Sequence, residues 1–156
     1  MNIKIKQLPD SYYNLGEAAA YNFLVNGAAE PEGGSKLWET WVTQGRLVFD
    51  AGGVTYSVPS GFLTDWASIP RVFRWLLDPV SKPYQVAALM HDFLYSSGAM
   101  TRREADLVLL EGARLVGSPE WQARIMYYAV RLGGWNAWRK NRANLIALGP
   151  RWRFIE

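Results

Sequence analysis

Hydrophobic and polar positions divide the chain into a half of short alternating runs and a half of long helical stripes. The runs LWETWVT, RLVFD and VTYSVP begin at residue 37 and carry strand-forming residues. Gln44-Gly45 and Asp50-Ala51-Gly52-Gly53 separate them as expected hairpin turns. They predict a small antiparallel β meander. The following SGFLTDWASIPR has neither helical nor strand period and reads as an ordered loop. Val86, Leu89, Met90, Phe93 and Leu94 then form a helical stripe over 82–96. SSGAM breaks it, and the capping box Thr101-x-x-Glu104 opens a second helix running to about Leu115. Gly117 closes that helix. Ser118-Pro119 restarts a third as N-cap and first helical position, and Gly133-Gly134 end it.

The expectation is therefore a single α+β domain over 1–156. It comprises an N-terminal arm (1–35), a β-rich segment (36–60), a loop (61–70), a helical core (71–134) and a basic, tryptophan-rich tail (135–156). EPEGGS at 30–35 marks a flexible connection. There is no internal repeat.

Composition narrows the class. With 49% hydrophobic and 20% charged residues, the chain has the means to build a core. The absence of cysteine excludes disulfides and thiolate zinc sites. The start, MNIKIKQLPDSYY, lacks a signal-peptide stretch, and no apolar run approaches the ~20 residues of a membrane span. Synthesis as a soluble cytosolic protein is expected. The net charge of +3 is concentrated late: from Arg131 onward six basic residues face only Glu156, interleaved with Trp135, Trp138, Trp152 and Phe154. Such a tail either meets a phosphate-rich or acidic partner, or packs on its own domain with its arginines in water.

The candidate chemistry centres on VAALMHDFLYSSG, which holds the one histidine. SSGAM lies midway between His91 and Asp106, so helices folded back about it bring the two side chains to the same height. In such a dyad the carboxylate fixes the ring's tautomer and the other nitrogen takes a proton from water. Tyr95, one turn after His91, is placed to donate its hydroxyl to Asp106. Asp92 points about 100° away around the helix and suits a metal better than the dyad. With one histidine and no cysteine, any metal is expected to be a hard one: Asp92, Asp65 and loop carbonyls would furnish an oxygen shell for calcium, or as second choice magnesium. HD-domain phosphohydrolases use several histidines, so the superficial likeness of AALMHDFLY to their helix is set aside. Ser68 lacks a G-x-S-x-G elbow and is read as the cap of a short helix. Arg102 and Arg103 fall in a first helical turn, where a cation is misplaced, which hints that one of them meets a carboxylate or other anion. Against all of this stands a plain reading of His91, Asp92 and Asp106 as a structural network.

The run His91-Asp92-Phe93-Leu94-Tyr95, with Asp106 in RREAD on a second helix and GFLTDWASIP before the first, resembles the phospholipase A2 superfamily in its compact, disulfide-poor branch. The resemblance implies that His91 activates water, Asp106 orients it, Tyr95 supports the network and Asp92 binds calcium, which polarises an ester carbonyl. The implied partner is a phospholipid or membrane surface. GFLTDWASIPR, HDFLY, RREAD and YYAVRLGGW together also resemble a family of small proteins from tailed phages and prophages. That likeness implies a product made in the host cytoplasm, with phage structural proteins as partners and a place in the virion or tail. Nucleic acid is not expected as a partner.

Overall fold

The computed structural model describes residues 1–27, 40–65 and 82–149. Among them lie six strands and five helices. The strands are β1 (Ile3–Gln7), β2 (Ser11–Asn14), β3 (Trp41–Gln44), β4 (Leu47–Ala51), β5 (Val54–Val58) and β6 (Leu63–Thr64). The helices are α1 (Leu15–Asn26), α2 (Lys82–Ser97), α3 (Arg102–Leu115), α4 (Glu120–Gly133) and α5 (Trp135–Leu148). Two three-stranded antiparallel sheets, ordered β1-β4-β5 and β2-β3-β6, make the α+β architecture.

The sheets are two halves of one bent ribbon. β4 pairs with β1 and β5, and β3 pairs with β2 and β6, so β3 and β4 are successive parts of the same middle strand. Gln44-Gly45 is therefore not the expected hairpin turn but the kink between them. Gly45 has φ +86°, and a Cβ there would lie 2.6 Å from Asp10 Oδ2. Only glycine admits that approach, which lets the Asp10 amide donate to the Gln44 carbonyl at 2.8 Å. Pro9 and Pro59 stand at the matching bends of the flanking strands, where the ladder is interrupted and a missing N–H costs little. The expected hairpin does form at Gly52-Gly53, both with φ positive, between Ala51 and Val54.

Residues 3–14, expected to be an arm, supply the third strand instead. IKIKQ alternates so that Ile3 is buried and Lys4 exposed, and Ile3 opposes Ala51. GFLTDW, expected to be a loop without strand character, contributes the two residues of β6. Of the two alternatives for the tail, residues 135–148 follow the packed one, forming α5 against α2, although Arg142 is not left in water. EPEGGS, Ser68 with its expected short helix, and residues 150–156 lie outside the described residues.

The core joins the ribbon to the helices. Leu47, Phe49, Ala51 and Val58 pack with Ala87, Leu89, Met90 and Leu94 of α2, Val108 and Leu109 of α3, and Met126 of α4. α2 and α3 are antiparallel and close: a Cβ on Gly112 would meet Met90 Cε at 2.5 Å and Ala87 Cβ at 3.3 Å. The Thr101–Glu104 capping box is present, with both reciprocal bonds. The expected Ser118 cap is not. α4 starts one residue later with Pro119 as N-cap, and Ser118 Oγ is buried without a hydrogen-bond partner. α4 ends at Gly133 as expected, but Gly134 is right-handed (φ −76°) and leads directly into α5.

Candidate functional site

The close α2–α3 contact sets the site. Since Ala87 lies against Gly112, folding back about residue 98 brings His91 opposite Asp106. His91 Nε2 lies 2.9 Å from Asp106 Oδ1. Tyr95, on the same face of α2 one turn on, donates its hydroxyl to that oxygen at 2.6 Å. The imidazole and phenol rings are tilted against each other with centroids 4.0 Å apart, and Trp138 of α5 meets Tyr95 edge-on at 4.9 Å. The expected trio of His91, Asp106 and Tyr95 is thus assembled.

The other oxygen of Asp106 has a partner that the sequence reading assigned to the basic tail. Arg131, in the last turn of α4, donates from Nη1 to Asp106 Oδ2 at 2.7 Å. Arg102 carries out the hinted role of a cation in a first turn. Its Nη2 donates to the Val130 carbonyl at 2.9 Å and also to the Arg131 carbonyl, and its Nε lies 3.9 Å from Asp106 Oδ2. It neutralises the carbonyl end of α4, where a cation is favoured, while remaining beside the carboxylate. Arg142 does the same for α2: Nη2 donates to the Tyr95 carbonyl at 2.7 Å and the guanidinium lies 4.4 Å above Trp138. Two arginines of the late basic run, Arg131 and Arg142, are therefore spent on helix ends and a buried carboxylate. Only long-range packing reveals this.

Asp92 lies on the opposite side of the imidazole. The Thr64 hydroxyl of β6 donates to Asp92 Oδ2 at 2.5 Å, and Asp92 Oδ1 is 3.8 Å from His91 Nδ1. Asp65 follows Thr64 at the end of β6 and is half-buried. Among the described residues, no three histidine, cysteine, aspartate or glutamate side chains gather closely enough to hold a metal.

The network is enclosed, with His91 2%, Asp92 4%, Tyr95 3% and Asp106 0% exposed. Burial alone would lower the His91 pKa. The hydrogen bond to Asp106 and the nearby Asp92 carboxylate outweigh it and hold the ring above its ordinary value. Burial likewise works to raise Asp106, but the bonds from His91 and Tyr95, and then Arg131, hold it below the usual carboxylate range. Burial, together with the Asp106 charge, pushes the Tyr95 phenol up, so it stays a donor. Among these four enclosed side chains, His91 Nδ1 is buried without a hydrogen-bond partner. A buried orphan nitrogen is costly unless a ligand or solvent completes it.

Residues 41–130, more than half of the chain, match the family described as Protein of unknown function (DUF1353). The chain belongs to that family. Most of the β ribbon and all of α2, α3 and the dyad fall within the DUF1353 match. A Sinorhizobium fredii (strain NBRC 101917 / NGR234) protein, described as uncharacterized protein y4jT, is 33% identical over 86 residues, which is 54% of this chain and 26% of that protein. The chain thus spans about a quarter of that relative's length. No solved structure matches it.

Proposed function

We propose that this protein is a phage- or prophage-encoded hydrolase with a phospholipase A2-like His–Asp site, acting on a phospholipid or another ester. One observation carries the reading: His91 Nδ1 is buried without a hydrogen bond, 3.8 Å from Asp92 Oδ1, while Nε2 is held by Asp106. That division of the ring is what a general base requires. Nε2–H donates to Asp106 and fixes the tautomer, leaving the Nδ1 lone pair for a proton. In the proposed step Nδ1 takes a proton from water, and the water oxygen bonds to the ester carbonyl carbon. As the carbon–oxygen bond to the alcohol breaks, the imidazolium returns the proton to the leaving oxygen. Asp106 is a positioning residue here, held by Tyr95 and Arg131. Asp92, beside Nδ1, offers the hard oxygen that calcium prefers, or magnesium as second choice, with the rest of such a shell drawn from backbone carbonyls and water. A bound cation would supply polarisation of the ester carbonyl.

The experiment is hydrolysis of mixed phospholipid vesicles with and without calcium, comparing wild type with His91→Ala and Asp92→Asn, each checked for folding by circular dichroism. Loss in both folded variants supports the hydrolase. No turnover by folded wild type, with calcium or magnesium, sinks it.

A second reading has its own support in the enclosure of the network, which ties α2, α3 and α4 through one carboxylate. In that reading the protein is a virion or tail-assembly component of a tailed phage. It is made in the host cytoplasm and built into the particle, and its His–Asp pair is structural.

A further inference from the structure

α4 is apolar on two faces, centred about 130° apart around the helix. Ala123, Met126, Ala129 and Val130 face the core. Trp121, Ile125, Tyr128 and Leu132 follow one another at four-three-four spacing, which at about 100° per residue places them within an arc of about 60° that borders the core face. Trp121 is 51%, Tyr128 59% and Leu132 83% exposed, and Ile125 is half-buried between them. The stripe runs about 16 Å along the helix axis. On α5, Trp135 (53% exposed), whose ring centroid lies 5.5 Å from the Arg102 guanidinium carbon, shares a face with Arg139 and with Ile146 (86% exposed). Large side chains at such exposure on successive helices mark an interaction surface.

Charge selects the occupant. Residues 121–149 contain five arginines and lysines and no aspartate or glutamate. Arg131 and Arg142 are engaged with Asp106 and with the Tyr95 carbonyl, and Arg124 pairs with Glu120 at 2.6 Å. Arg139 stands exposed on the Trp135 face of α5, and Lys140 is exposed about 100° around the helix from it. A second copy meeting this surface face to face would bring like charges together. Nucleic acid has no use for Leu132 or Ile146. Tryptophan and tyrosine among aliphatic side chains, rimmed by cations, fit the headgroup level of a bilayer with anionic lipids.

We infer that the outward face of α4, together with Trp135, Arg139 and Ile146 of α5, docks the protein on an anionic lipid surface. This stands on the surface alone and not on the His–Asp site, so vesicle binding and ester hydrolysis fail independently.

The test is co-sedimentation of the full chain with phosphatidylcholine vesicles, with and without phosphatidylglycerol. Expected is binding only to the anionic vesicles, weakening as salt shortens the screening length. Leu132→Glu and Tyr128→Glu should abolish it. Arg139→Gln with Lys140→Gln should weaken it by up to about twenty-fivefold, each cation near the surface contributing about fivefold. Val54→Glu, an equally exposed apolar position at the β4–β5 hairpin, should bind as wild type does. Unchanged melting temperatures establish that the variants are folded. The inference is overturned by wild type left in the supernatant, by equal binding to neutral vesicles, or by loss in Val54→Glu as well. A dimer in sedimentation equilibrium that Leu132→Glu dissociates also overturns it, in favour of a second copy.

Discussion

His91 and Tyr95 converge on a single oxygen: Asp106 Oδ1 lies 2.9 Å from the imidazole Nε2 and 2.6 Å from the phenol. Arg131 takes the other oxygen at 2.7 Å. One buried carboxylate thus joins three helices, and its removal from any side leaves charge or donors unpaired.

The single histidine makes the electrostatics directly measurable, since one C2–H resonance reports the ring. Its titration midpoint in wild type should lie above the ordinary imidazole value, because Asp106 and Asp92 outweigh burial. In Asp106→Asn one supporting carboxylate is gone while burial remains, so the midpoint should fall. An unchanged or higher midpoint in that variant would show that Asp106 does not hold the imidazolium.

Stability should follow pH with two limbs of opposite sign. His91 has a raised folded pKa, so its contribution is complete below the unfolded value near 6.5 and is lost as pH rises through the folded value. Asp106 has a lowered folded pKa, so its contribution is present above the unfolded value near 3.8 and is lost as pH falls through the folded one. Melting temperature should therefore peak between the two ranges. His91→Gln should flatten the alkaline limb and leave the acid limb in place. Ester hydrolysis through Nδ1 would run the other way, rising as the ring deprotonates.

Asp106→Ala should cost about 3–5 kcal/mol in denaturant unfolding, the usual penalty for removing one partner of a buried ion pair. Tyr95→Phe should cost about 1–2 kcal/mol, since Asp106 Oδ1 keeps its bond to His91. If both cost the same, the carboxylate is not the centre of the network.

What was legible in the sequence was local or symmetric. The Thr101–Glu104 box and the helix to Leu115 depend on four residues and a period. The His91–Asp106 pairing depends on equal spacing from one turn. The strand character of IKIKQ was also present, as isoleucine and lysine alternate, but no neighbouring run announced its partner. Gln44-Gly45 reads equally as a hairpin or a kink because both use a glycine at positive φ. Only the pairing of both flanking strands with the same neighbours tells them apart. Arg131 and Arg142 read as surface charge because their partners, Asp106 and the Tyr95 carbonyl, are 25 and 47 residues away. Hydrophobic period carries no information at that separation.

Gly134 gives the last prediction. Its backbone is right-handed helical, so glycine is not needed there for its φ. It is needed for space: a Cβ would lie 2.4 Å from the Val130 carbonyl oxygen and 3.0 Å from the Tyr95 hydroxyl. The first is backbone in the same turn that Arg102 caps, so it has little freedom to move. Gly134→Ala should therefore push α5 and the end of α4 apart, costing about 1–3 kcal/mol as overpacked sites do. It should also disturb the Tyr95–Asp106 bond, which shifts the His91 resonance although residue 134 does not touch the ring. By contrast Gly117→Ala, where φ is +88° and no atom lies within 4 Å of the added Cβ, should cost about 1 kcal/mol through backbone strain alone and leave that resonance unmoved. An alanine at 134 that melts like wild type with an unshifted histidine would mean that the α4–α5 junction is not packed against the buried network.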